Sequence, residues 1–208
     1  MHETPYRREP GYAERYRDRR FHAGTGVATD RAERQALREL LALARSTTPD
    51  GCWLDAPAGA GRMTAELPGA VVQVDRDAAM LVAAGPERPR ACASVHALPF
   101  ADFTFAGVLC HRLLQHIPTP AERIDILREL GRVARGPIVV SFFDAHSLQH
   151  VRRTVRRWFG KKKSGRSAVP RRAFLAECAA AGLEVVAVRA LRRFLAEQTL
   201  VLLRRNPS

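Results

Sequence analysis

The sequence predicts an α/β domain built on a mainly parallel sheet with helices over both faces. Three observations predict it. Short apolar segments alternate with helix-patterned segments between residues 52 and 143, and parallel strands need such crossovers because no tight turn can join them. The first apolar segment ends at a carboxylate and runs into a glycine turn, Asp55-Ala56-Pro57-Ala58-Gly59-Ala60-Gly61-Arg62. The last two apolar segments are joined by a basic connection too short for a helical crossover, which predicts an antiparallel hairpin. At 208 residues the chain suffices for one such domain and is short for two.

The elements follow in order. Residues 1–28 form a basic arm in which Tyr6, Tyr12 and Tyr16 lie among arginines and which Gly24 and Gly26 punctuate. Asp30 followed by Glu33 resembles a capping box, and Leu37, Leu40, Leu41 and Leu43 give an apolar face, so a helix is predicted over residues 30–45. Strands are predicted over 52–56, 70–74, 90–94, 105–110 and 138–143. Helices are predicted over 62–67, 78–84 and 120–134, the last with Ile124, Leu127, Leu130 and Val133 on one buried face. Pro170 opens a further helix that Gly182 ends, and residues 185–188 and 199–203 form the closing pair. The domain proper is thus residues 29–208, with a basic insertion at about 145–170.

Composition narrows the class. No apolar run approaches the roughly 20 residues of a membrane span, and the opening Met1-His2-Glu3-Thr4 lacks the apolar core of a signal peptide. A cytoplasmic location is the expectation. Cys52, Cys92, Cys110 and Cys178 are scattered with no metal-knuckle spacing, so they read as small reduced core residues and no metal is expected. The net charge of +13 is uneven. From Asp144 to Glu177 no acidic residue intervenes, while ten Arg and Lys residues lie between 152 and 172.

The central chemistry lies at the glycine turn. Glycine lets the backbone pass close to a ligand where a Cβ would collide. A carboxylate at a strand's carboxyl end meets a cationic ligand group, and helix N-terminal amides meet an anionic one. Neither the three-glycine dinucleotide pattern nor the Gly-Lys-Ser/Thr of a phosphate loop is present. A second acid, Asp75, closes the second strand about 20 residues later, where such folds grip ribose hydroxyls. The competing reading of Asp75 is a cap for the helix at Ala78.

Taken together, these stretches resemble class I S-adenosylmethionine-dependent methyltransferases of the small-molecule branch. Asp55 to Arg62 looks like their first motif and Val74-Asp75 like their second. Ala97-Leu98-Pro99-Phe100-Ala101-Asp102, then Leu113-Leu114-Gln115-His116-Ile117-Pro118, then Arg128-Glu129-Leu130-Gly131-Arg132-Val133, resemble the later signatures in consistent order. The resemblance implies a Rossmann-like three-layer sandwich whose seven-stranded, mostly parallel sheet has one antiparallel strand. It implies S-adenosyl-L-methionine as cofactor. Asp55, Ala58, Gly59 and Gly61 would surround its methionine moiety, with Arg62 also among the contacts. Asp75 would hold the ribose and Arg76 would flank the adenine, while Cys110 and His111 would lie beside the cofactor at the end of strand four. The sequence departs from the family at Ser94, where an acid normally accepts from the adenine amino group; the Ser94 oxygen or the Val95 backbone is the substitute.

The acceptor is less legible. His111 and His116 are the candidates for a general base, although methyl transfer also proceeds by alignment alone. Asp144 and His146 end strand five, where they face either the acceptor or a turn. Tyr12, Tyr16 and Arg20 suit a lid whose arginine pairs with the cofactor carboxylate, or else a frayed arm. The basic interval reads as a solvated loop, as a site for an anionic acceptor, or as an interfacial helix over 151–163 that contacts an anionic membrane. The leading expectation is methyl transfer to a small-molecule or lipid-linked acceptor. An RNA methyltransferase using residues 152–172 and a non-catalytic binding module of the same fold are the alternatives. The methylated atom and the oligomeric state are not encoded in any motif.

Overall fold

The structure is a computed structural model that describes residues 11–13, 25–145, 167–191 and 198–206. Seven strands form one sheet: β1 Trp53–Asp55, β2 Val71–Asp75, β3 Arg90–Cys92, β4 Gly107–Cys110, β5 Ile138–Phe143, β6 Leu183–Ala190 and β7 Gln198–Arg205. Their spatial order is β3-β2-β1-β4-β5-β7-β6. The first five run parallel. β7 is antiparallel to β5 on one side and to β6 on the other. The order reverses between β1 and β4, the position at which open α/β sheets form a ligand crevice beyond the strand carboxyl ends.

Two apolar layers sandwich the sheet. On one face Leu54, Val108, Val140 and Leu203 pack against Ile126, Leu127 and Leu130 of α3 (Pro120–Val133) and Phe174 of α4 (Arg171–Ala180). On the other, Trp53, Leu109, Val139 and Leu202 pack against Leu37 and Leu40 of α1 (Thr25–Ala44). A six-residue helix, α2 (Ala78–Ala83), follows β2, and its cap is Asp77, whose side chain accepts from the Ala79 N–H. Asp75 is therefore released from the capping role that the sequence also allowed.

Four expectations need correction. α1 begins at Thr25, within the segment read as the arm, and Asp30 and Glu33 lie in its body; no capping box forms, because both side chains are taken by arginines. Residues 62–67 form no α-helix but a single 3-10 turn, Thr64–Glu66. Gly61 upstream is left-handed at φ 73°, and Leu67 is extended at ψ 142° ahead of Pro68, so too few residues remain for a helix. The buried stripe of α3 uses Arg123 and Ile126 where Ile124 was expected. Cys92 is exposed on the edge strand instead of in the core.

Close packing between sheet and α1 makes Gly107 a sensitive point. A Cβ there would sit 2.5 Å from Trp53 Cη2, which is itself buried. Gly107→Ala is expected to cost about 1–3 kcal/mol, the range for forcing an extra methyl into a filled core, as measured by urea unfolding.

Candidate active site

The glycine turn is pinned between two strands. The Ala56 N–H donates to Leu109 O at 2.9 Å and the Ala58 N–H to Val74 O at 2.8 Å. Gly59 and Gly61 adopt φ 55° and 73°, a region in which a side chain is strained. A Cβ on Gly61 would also lie 2.9 Å from Gln73 Nε2 and 3.1 Å from Ala84 Cβ.

Two carboxylates face this turn. Asp75, 8% exposed, accepts from the Gly59 N–H at 2.9 Å through Oδ2 and from the Asp77 N–H at 2.9 Å through Oδ1. Burial raises its carboxyl above the usual range despite those two backbone hydrogen bonds. Asp55 is buried at the end of β1 and accepts from Thr64 Oγ1 at 2.6 Å, while Thr64 Oγ1 accepts from Gln73 Nε2 at 2.9 Å. Burial pushes the Asp55 carboxyl up to about 7 against the Thr64 hydrogen bond, and the neighbouring Asp75 charge acts in the same direction as burial. Among the described residues neither carboxylate has an ion-pair partner.

A sequence profile of the methyltransferase domain family matches residues 54–136, the stretch that carries this turn, both acids and the β4 end. Over those residues the chain is similar to a methyltransferase domain. Solved structures show the same fold. A magnesium protoporphyrin IX methyltransferase from Synechocystis PCC 6803, determined with bound S-adenosylhomocysteine, superimposes with a TM-score of 0.74 at 16% identity, over 93% of this chain and 94% of that one. A protein from Pyrococcus horikoshii OT3 gives 0.68 at 17% identity, over 93% and 99% of the two chains. A possible histamine N-methyltransferase from Thermotoga maritima gives 0.62 at 15%, over 86% and 91%. No curated protein matches the chain. The Synechocystis PCC 6803 enzyme has also been determined with bound S-adenosylmethionine. The residues present suit a cationic cofactor such as S-adenosylmethionine: two buried carboxylates, without an ion-pair partner among the described residues, stand beside the glycine turn where a cationic molecule can neutralise them.

The residues expected around the adenine are engaged as follows. Ser94 follows β3, and its Oγ accepts from the His96 N–H at 3.3 Å. Val95 is 7% exposed and belongs to the core. Phe100 meets Phe105 edge-on, with ring centroids 4.8 Å apart. The Arg76 carbonyl lies 3.5 Å from Cys92 Sγ. Cys110 is buried in the layer with Leu54 and Val140, and burial pushes its thiol up. This leaves its backbone, not its sulfur, at the strand end.

His111 is buried, and burial pushes it down to about 3, with Arg62 and Arg112 contributing. Its Nδ1 lies 3.5 Å from Arg62 Nη2 and its Nε2 lies 3.9 Å from Glu33 Oε1. His116 is exposed in the 3-10 turn Leu114–His116. Asp144 is buried and held by Arg171 at 2.8 Å. Tyr16, Arg20, His146 and residues 151–163 lie outside the described residues. Of the arm, Ala13 packs on Met80, Ala83 and Ala60, next to the glycine turn.

Sequence reasoning passed over three groups here. Glu33 is fully buried and joins Arg62 and Arg112, the latter at 2.6 Å. Arg112 is left-handed at φ 61°, a conformation that costs a side-chain-bearing residue about 1–2 kcal/mol. Ser141 secures it, accepting from the Arg112 N–H at 2.7 Å, and Gln115 Nε2 donates to the Arg112 carbonyl at 2.8 Å. The one signal available in sequence was the acid pair in α1, which capping also explained.

Proposed function

We propose that this protein transfers the methyl group of S-adenosylmethionine to a small-molecule or lipid-linked acceptor. The observation that carries the reading is the meeting of Asp55, Gly59 and Asp75 at the carboxyl ends of β1 and β2. Asp75, its orientation fixed by two backbone N–H groups, takes the ribose hydroxyls with its remaining lone pairs. Asp55, Ala58, Gly59 and Gly61 surround the methionine moiety, with Gly59 and Gly61 free to adopt the left-handed backbone that shapes the turn. Arg76, Ser94 and Val95 line the adenine end. The cofactor, when bound, supplies an activated methyl group on a sulfonium. The chain's own part is to align and desolvate it.

His111 does not act as the base in this reading: it is buried, held neutral, and both ring nitrogens face Glu33 and Arg62. The relatives named for magnesium protoporphyrin IX and for possible histamine methylation support an acceptor of small-molecule class. The lipid-linked option is supported by where the basic interval is rooted. The Ala145 N–H donates to Val169 O at 3.0 Å and the Ser167 N–H to Gln115 O at 2.7 Å, so both ends leave beside the site.

Calorimetric titration with S-adenosylmethionine tests the reading. Wild-type protein is expected to bind, and Asp75→Ala to bind about 10–100-fold more weakly, the effect of removing a charge-assisted pair of hydrogen bonds. A wild-type protein that takes up no S-adenosylmethionine sinks the proposal. Mass spectrometry of small molecules and lipids after incubation then identifies the acceptor by the gain of one methyl group.

A further inference from the structure

We propose that Glu33 is a positioning residue of the methyl-transfer site: through Arg62, Arg112 and His111 it holds the glycine turn and the end of β4 in the arrangement that accepts S-adenosylmethionine. The inference rests on the functional reading above. Its basis is geometric. Glu33 is 0% exposed, on the face of α1 that covers the strand ends. One carboxylate oxygen pairs with Arg62, the residue that completes the glycine turn. The other accepts from Arg112 Nη1 at 2.6 Å, on the loop that leaves β4. One carboxylate therefore bridges the two backbone segments that flank the cofactor's methionine end, and Asp30, one turn earlier in α1, reinforces the first of them through Arg62.

His111 is the third element tied in. Arginine only donates, so the 3.5 Å approach of Arg62 Nη2 makes Nδ1 the acceptor and puts the ring proton on Nε2. Among the described residues that Nε2–H is buried without a hydrogen-bond partner, and Glu33 Oε1 lies 3.9 Å from it. Glu33 thus favours this tautomer and orients the ring that closes β4. Burial works against the Glu33 charge; positive charge around it, on His111 when protonated and on Arg112 and Arg62, outweighs burial and holds the carboxyl below its usual range. Loss of Glu33 leaves two guanidiniums without their shared partner beneath α1. Arg112 also loses the ion pair that helps keep it in a left-handed conformation.

The test uses full-length protein, S-adenosylmethionine as probe, and Glu33→Gln, which keeps the shape and removes the charge. Binding is expected to weaken at least tenfold. In nitrogen-15 spectra, with His111 assigned through His111→Asn, the wild-type ring is expected as the neutral Nε2–H tautomer at pH 7, and its signals are expected to move in Glu33→Gln. Should that variant fold poorly, Glu33→Gln with Arg112→Gln removes both charges of one pair. This double variant is expected to recover most of the melting temperature and still bind at least tenfold more weakly, which a merely structural role for Glu33 does not produce. Wild-type affinity in either folded variant overturns the proposal, as does an Nδ1–H or cationic His111 in the wild type. Absence of binding by the wild type itself counts instead against the functional reading, and the tautomer measurement still decides the Glu33–His111 part.

Discussion

Asp55→Asn is expected to stabilise the ligand-free protein at pH 8 and to weaken its binding of S-adenosylmethionine. Asp55 is buried, accepts one hydrogen bond from Thr64, and shares its surroundings with Asp75. Its carboxyl ionises near pH 7 in the folded chain against 3.8 as a free side chain. Between those values the folded state holds a proton that the unfolded state has released. Stability therefore falls as pH rises through that window, by a total on the order of 4 kcal/mol. Asparagine keeps the acceptor for Thr64 and has no proton to lose. Melting curves of wild type and variant should converge near pH 4 and diverge by roughly 10 °C at pH 8, with the variant higher. Binding moves the opposite way. Because the ionised carboxylate favours a cationic ligand, wild-type affinity should climb about tenfold from pH 6 to pH 8, and the variant should show a flat profile. A wild type that gains stability relative to the variant across this range contradicts the assignment.

The second large effect lies between α3 and α4. Arg123 of α3 and Glu177 of α4 form a buried, two-pronged pair, with Nε to Oε2 at 2.8 Å, and Arg123 Nη1 also donates to the carbonyls of Ile117 at 2.8 Å and Pro118 at 3.1 Å. Glu177→Ala strands a guanidinium among apolar neighbours and is expected to cost about 3–5 kcal/mol. Replacing both partners, Arg123→Met with Glu177→Leu, removes the charge together with its counter-charge and should recover most of the loss. Denaturant titration of the three proteins separates the outcomes. Equal losses in the single and double variants would show that packing at this contact, not the orphaned charge, sets the cost. S-adenosylmethionine affinity, measured below each melting temperature, should be the same in all three.

These residues also mark what was legible in the sequence. The sheet, its antiparallel closing pair and the glycine turn between β1 and β2 could be read because each follows from local pattern: alternation, turn chemistry and chain spacing. Arg123 was invisible as a core residue, since its burial depends on Glu177, 54 positions away. Glu33 was legible as an acid near a helix start and was given the local role of a cap. Its partners come from a turn and a loop that only the fold brings together. The short helix expected after Gly61 failed for the converse reason, because Pro68 and the left-handed glycine left it no length. Ser94 stood out in the sequence, and in the structure its Oγ is engaged by the His96 N–H.

β7 follows β6 in the chain yet lies between β6 and β5 in the sheet. Among the described residues β6 pairs with β7 alone, so it has no place in the sheet until β7 is made. The sheet thus cannot grow outward in the order of synthesis. A nascent chain that has reached only Ala190 leaves the edge of β5, a six-residue strand buried throughout, open to other chains. Pairing of the two strands with β5 spans a long sequence separation, and such non-local pairing is expected to be slow. Agents that bind an exposed strand edge should therefore slow maturation of this protein at that stage more than at any other.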